Sequence, residues 1–104
     1  MILYLSGKIT GNPLYGLQFS AAEFVLKLGG DHIVLNPAKL PKGLRDYEDY
    51  MKIGMAMLDA ADGIVMLPGW KRSNGARREL RAAMKAGKKI YFDADRLMKA
   101  SAER

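Results

Sequence analysis

At 104 residues, 49% hydrophobic and 27% charged, the chain has the length and balance of one folded domain with one core. It has no cysteine, which excludes disulfides and thiolate metal centres, and no apolar run nears the ~18 residues of a membrane span. A formal charge of +6 raises an anionic partner, nucleic acid included.

Ile2 to Leu5 is a short apolar run ending in Ser6-Gly7, the pattern of a buried strand. The opening residues carry neither a basic stretch nor a small-residue cleavage site, so a cytoplasmic chain is expected. Gly7, Gly11, Asn12 and Pro13 make a loop, after which Leu17, Ala21, Phe24, Val25 and Leu28 recur at helical spacing up to Gly29-Gly30. Ile33 to Leu35 reads as a second strand closed by Asn36-Pro37. Beyond a polar loop with Pro41 and Gly43, a helix is expected from about Asp46 to Ala61. A third buried strand, Gly63 to Leu67, stops at Pro68-Gly69, and the loop Trp70 to Asn74 leads into a helix from about Gly75 to Ala86. Ile90 to Phe92 is the fourth strand, and a last helix is expected from Asp95.

Apolar strands joined by helices imply a single α/β domain over 1–104, with a parallel sheet covered on both faces. Right-handed crossovers put every strand-to-helix loop at one end, and ligands of such sheets bind over the carboxyl ends of the strands. Three loops are thereby singled out: Ser6 to Asn12, Asn36 to Arg45, and Pro68 to Gly75.

The third of these ends at a helix N-terminus, where free backbone N–H groups and the helix dipole favour an anion. Ser73 adds a hydroxyl and Gly75 admits close approach, although Ser73 or Asn74 acting only as a helix cap explains the same residues. The glycine spacing of a Walker or dinucleotide fingerprint is missing. With Ala76 at zero on the helical wheel, Glu79 falls at about 300°, on the apolar side and away from Arg77, Arg78, Arg81 and Lys85. A carboxylate so placed is a candidate nucleophile, base or hydroxyl clamp; the alternative, a capping-box glutamate, would need Ala76 as N-cap. The loop Ser6-Gly7-Lys8-Ile9-Thr10-Gly11 can pass close under a ligand or be an ordinary turn. Tyr47 and Tyr50 suit the wall of a ring pocket or an interface. The helix bearing Met51, Ile53, Met55, Ala56, Met57, Leu58 and Ala60 is apolar nearly all round, so a homodimer or higher oligomer is expected to cover its outer side, the alternative being cover by a neighbouring helix. His32 stands at the opposite end of the second strand with no chemical role expected. The basic run from Lys71 to Lys89 reads first as a solvated helix face, then as a site for a small anion, and last as a polynucleotide surface, since only Trp70 and Tyr91 flank it.

Five segments, Tyr4-Leu5-Ser6-Gly7-Lys8-Ile9-Thr10-Gly11, Asn36-Pro37-Ala38, Tyr50-Met51, Ala61-Asp62-Gly63-Ile64-Val65-Met66-Leu67-Pro68-Gly69-Trp70 and Ser73-Asn74-Gly75-Ala76-Arg77-Arg78-Glu79, stand together in order and spacing. In them the chain resembles the small, often phage- or prophage-encoded branch of the nucleoside 2-deoxyribosyltransferase-like superfamily, over about Met1 to Phe92. The resemblance implies a flavodoxin-like (Rossmann-like) three-layer sandwich of four or five parallel strands, order 2-1-3-4, assembled as dimers or higher. It implies cleavage of the N-glycosidic bond of deoxynucleosides or their 5'-monophosphates, with Glu79 attacking the anomeric carbon. It also implies that Ser6 to Gly11 line the base and sugar pocket and Ser73 to Gly75 hold a 5'-phosphate. In the relatives a catalytic aspartate precedes the third strand, at the position that here is Gly54. Arg77 and Arg78 replace small residues, which suggests a more anionic ligand or an inter-subunit contact.

Residues and resemblance together nominate Glu79 as catalytic and Ser6, Gly7, Lys8, Ile9, Thr10, Asn36, Tyr50, Pro68, Gly69, Trp70, Ser73, Asn74 and Gly75 as ligand-binding, with no metal and no cofactor. Three functions stay open: an N-glycoside hydrolase or 2-deoxyribosyltransferase, a non-catalytic nucleotide-binding module that senses or sequesters, and a basic nucleic-acid binder. The last leaves Glu79 unexplained.

Overall fold

The computed structural model describes residues 1–44 and 46–92, so the helix expected from Asp95 lies outside the described residues. The apolar runs form β1 (Ile2–Ser6), β2 (Ile33–Leu35), β3 (Gly63–Met66) and β4 (Lys89–Tyr91). Between them lie α1 (Tyr15–Leu28), α2 (Tyr47–Ala60) and α3 (Asn74–Lys85), with short 3-10 turns at Pro37–Lys39 and Trp70–Arg72. All pairings are parallel and the strand order is β2-β1-β3-β4. This is a flavodoxin- or Rossmann-like α/β sandwich.

Side chains alternate between sheet faces along each strand. Leu3 and Leu5 of β1, with Val65 and Leu67, bury against Phe19, Ala22 and Leu26 of α1. Tyr4, with Ile64 and Met66, faces the other way, toward Leu58 of α2 and Ala76, Leu80 and Ala83 of α3. Each fully buried large side chain contributes about 1.5–3 kcal/mol, and α1 on one face with α2 and α3 on the other leaves the order reversal between β1 and β3. The crevice over their carboxyl ends is where this topology receives ligands.

The opposite end is tied shut. Asp62 accepts the Ile2 N–H at 2.8 Å through its carboxylate and returns its own N–H to the Ile2 carbonyl at 2.7 Å. The Lys88 ammonium donates to the carbonyls of Asp59 and Ala61 at 2.8 and 2.7 Å, satisfying the end of α2.

One stripe turns out differently from its spacing. Leu17, Phe24 and Leu28 are exposed at 69%, 64% and 68%, while α1 buries Phe19, Ala22, Glu23 and Leu26 instead. The helix has apolar residues on two sides, and the alternation of β1 and β3 decides which side meets the sheet. The outer apolar surface therefore lies on α1; on α2, expected to be the exposed apolar helix, Met51, Gly54 and Leu58 are buried and Ile53, Met55 and Met57 half-buried. None of the described helices is long and apolar enough to cross a membrane.

Glu23, buried on α1, joins that helix to the loop after β2. It accepts from Lys27 at 2.7 Å, Lys39 at 2.9 Å and Asn36 at 3.0 Å. The Lys27 hydrogen bond, helped by Lys39 and Asn36 against the cost of burial, holds its carboxyl down to about 2 from an ordinary 4.5. A depressed carboxylate stabilises the fold above its unfolded pKa and loses that contribution as pH falls through the folded one. Glu23→Gln is therefore expected to cost about 1–2 kcal/mol at pH 7. In denaturant melts of both chains, the gap should close between pH 4.5 and 2; a gap that persists at pH 2 would refute the assignment.

Candidate functional site

Tyr4 and Ser6 are two residues apart on β1 and so point to the same face, toward the first turns of α3. Ser73 starts that helix: its Oγ accepts the Ala76 N–H at 3.1 Å, which sets the register that turns Glu79 inward. Glu79 is 7% exposed. Its Oε1 accepts the Ser6 hydroxyl at 2.8 Å and its Oε2 accepts the Tyr4 hydroxyl. Two donated hydrogen bonds, one on each oxygen, are the arrangement an ionised carboxylate needs. Burial raises the Glu79 carboxyl above its usual range, and the two hydroxyls and the nearby Arg78 charge pull it partly back. Burial, the Glu79 charge and their hydrogen bond all push the Tyr4 phenol well above its usual value, so it keeps its proton.

From α2, Gly54 closes over this pair. A Cβ there would lie 2.7 Å from Glu79 Oε2 and 2.8 Å from the Tyr4 oxygen, nearer than side chains tolerate. The space that a side chain at Gly54 would take is filled by Tyr4 and Glu79 themselves.

Above the pair opens a cavity of about 450 Å³. Tyr4 and Glu79 form part of its lining, and Gly7, Ile9 and Thr10 of the loop after β1 form another. Tyr15 and Phe19 of α1, Tyr47, Tyr50 and Met51 of α2, and the segment from Pro37 to Leu44 supply a largely aromatic and apolar wall. Ser73, Gly75 and Ala76 bring the open N-terminus of α3 into it. Gly75 is needed for this closeness, since a Cβ would stand 2.8 Å from the Tyr47 hydroxyl and 3.2 Å from Met51 Sδ. The Tyr50 hydroxyl donates to the Pro41 carbonyl at 3.1 Å and accepts the Leu44 N–H at 3.2 Å, which fixes the wall loop. Ser73 Oγ accepts for the cap, so its own proton can serve a guest, and an open helix N-terminus suits a phosphate or carboxylate.

Of the nominated residues, Glu79, Gly7, Ile9, Thr10, Tyr50, Ser73 and Gly75 line this cavity, and Ser6 reaches it through Glu79. Lys8, Pro68 and Gly69 line a separate, more open depression with Arg72. Asn36 is buried, capping the 3-10 turn by accepting the Ala38 N–H at 2.9 Å and donating to Glu23, so it shapes the wall from behind. Asn74 is exposed on the first turn of α3. Trp70 packs on the α2–α3 side of the core, 5.9 Å from the Phe92 ring. Tyr4 was not among the nominated residues, although its period-2 relation to Ser6 carries the signal; Tyr15 and Phe19 had none, because their side of α1 competes with an equally apolar one.

The basic run divides by task. Arg78 pairs with Glu48 at 2.8 Å and lies 5.8 Å over the Tyr47 ring, tying α3 to α2 within the chain. Lys88 caps α2, Lys71 lies 5.8 Å over Trp70, and Arg77, Arg81 and Lys85 are exposed along α3. Among the described residues no group of three His, Asp or Glu side chains is placed to hold a metal ion.

A family model described as a domain of unknown function, DUF4406, matches residues 1–92. The chain belongs to the DUF4406 family. That span takes in every described strand and the whole lining of the cavity, so the site built here is a site of the DUF4406 domain. No curated protein and no solved structure matches the chain.

Proposed function

We propose that this DUF4406 chain binds a nucleoside or nucleotide in the cavity over β1 and β3 and cleaves its N-glycosidic bond. Glu79 is the nucleophile. The observation that carries the reading is a buried carboxylate, oriented on both oxygens by Tyr4 and Ser6, at the base of an aromatic-walled cavity that also receives a helix N-terminus. Each part suits one part of such a ligand: Ser73 and the Gly75 backbone a 5'-phosphate, Tyr50 and Ile9 the ring, and Glu79 the anomeric carbon. The resemblance to nucleoside 2-deoxyribosyltransferase-like proteins supports the same assignment and favours deoxynucleosides or deoxynucleoside 5'-monophosphates.

The test is release of free base from a panel of nucleosides and 5'-monophosphates, deoxy and ribo. The wild-type chain releases base from at least one member, and Glu79→Gln lowers that rate by at least about 1,000-fold, the order of effect of removing a covalent catalyst. Activity that survives Glu79→Gln removes Glu79 from this role. Tight calorimetric binding with no base released would instead favour a binding module that senses or sequesters its nucleotide.

The same proposal places the protein in the cytoplasm, where such ligands are free, and has copies associate through the outer stripe of α1, Leu17, Phe24 and Leu28, with Leu14 just before the helix. Light scattering should then show a dimer or larger; a monomer at all concentrations removes self-association.

A further inference from the structure

Resting on the glycosidase reading, we infer that the bond cleaved joins the sugar to a positively charged nitrogen heterocycle, of the N-alkylpyridinium or N7-alkylpurine class, because the Glu79 side of the cavity is built to attack without protonating what leaves. The groups that touch Glu79 are two hydroxyls that donate to it, Tyr4 and Ser6, and the facing position on α2 is Gly54, where no side chain fits. The Tyr4 proton is already donated to Glu79 Oε2, and giving it up would leave a phenolate in a buried space with no cation among the described residues to offset it. The phenol is accordingly held above its ordinary value. Among the described residues the other carboxylate of the cavity is Asp46, which is exposed and is committed to capping α2, where it accepts the Asp49 N–H at 3.0 Å.

A neutral base must leave as an anion unless a proton reaches it, and delivery of that proton by a positioned group contributes about 10²–10⁴ in rate. A cationic heterocycle needs none. A Glu79 oxygen bonds to the anomeric carbon, the C–N bond breaks, and its electron pair cancels the ring's positive charge, so the heterocycle departs neutral. Water then attacks the same carbon, Glu79 leaves as carboxylate, and one proton passes to solvent. The aromatic wall fits this guest, since rings such as Tyr15 and Tyr50 attract a flat cation through their faces.

The decisive experiment compares two ligands that differ in one methyl group and one charge, 7-methyl-2'-deoxyguanosine 5'-monophosphate and 2'-deoxyguanosine 5'-monophosphate, with nicotinamide mononucleotide as the pyridinium arm. Rates are corrected for spontaneous loss of base. An enzyme that protonates its leaving group narrows the intrinsic difference within the pair, whereas one that does not expresses it in full. The inference expects kcat/KM for at least one cationic substrate to exceed the neutral one by about 100-fold or more, with Glu79→Gln abolishing it. Comparable rates for the matched pair, or cleavage of neutral members alone, overturn the cationic class and leave the glycosidase reading standing. No base from any of these or from the wider nucleotide panel overturns both.

Discussion

Gly54→Ala is expected to destabilise the chain by about 1–3 kcal/mol, the range for forcing a methyl into a packed site, although a glycine-to-alanine change in a helix ordinarily gains up to about 1 kcal/mol. The reason is local. The new Cβ would stand 2.7 Å from Glu79 Oε2 and 2.8 Å from the Tyr4 oxygen. Both are side-chain ends, but both are buried and bonded to each other, so neither moves without breaking the pair. For a domain of this size 1 kcal/mol corresponds to roughly 4–8 °C in Tm, well within reach of a thermal melt. Gly16→Ala is the internal control: it lies in α1 with nothing within 4 Å of its would-be Cβ, and should leave Tm unchanged or raise it. The same substitution thus has opposite signs at two helical sites. If Gly54→Ala were as stable as the wild type, the close packing of α2 on the Tyr4–Glu79 pair would be wrong. In the base-release assay it is expected to lower the rate by at least about 100-fold, because a displacement of about 1 Å at a reacting group costs that much.

Tyr4→Phe keeps the ring and removes the hydrogen bond to Glu79 Oε2. The buried carboxylate then keeps only Ser6, so the chain should lose about 1–3 kcal/mol at pH 7 and the Glu79 carboxyl should titrate still higher. The sign follows from linkage. A carboxyl whose folded pKa is raised destabilises the fold above its unfolded pKa, and raising it further adds to that penalty only where Glu79 is ionised. The difference between Tyr4→Phe and wild type should therefore shrink as pH falls through the raised folded value, before the group's ordinary 4.5 is reached. In the base-release assay the acid limb of the pH–rate profile should move to higher pH, with kcat falling more than KM changes. A uniform loss of rate with an unmoved limb would make Tyr4 a packing residue rather than a positioning one.

Much of this was readable from residue order. Apolar runs closed by Ser6-Gly7, Asn36-Pro37 and Pro68-Gly69 mark strands and the end at which ligands meet them, and the boundaries of the three helices lie within a residue or two of their expected places. Glu79 was legible as well, because on α3 one arc is plainly basic and the other plainly small and apolar. The face of α1 was not legible, since Leu17, Phe24 and Leu28 compete with Phe19, Ala22 and Leu26 and only the sheet decides between them. The close packing at Gly54 was not legible either. Its meaning depends on Tyr4, fifty residues away in sequence and brought beneath it by the parallel pairing of β1 with β3. Lys8, Pro68, Gly69 and Trp70 belong to the same loops as the lining residues but leave them on the far side, because a loop over strand ends has two faces and composition does not distinguish them.

The most direct measurement is a structure of the Glu79→Gln chain with a nucleoside 5'-monophosphate bound. It should show the phosphate on Ser73 and the Gly75 backbone, the ring against Tyr50, and the anomeric carbon within contact of residue 79. A nucleotide seated in the Lys8–Arg72 depression, with the cavity over Tyr4 left unoccupied, would contradict the account.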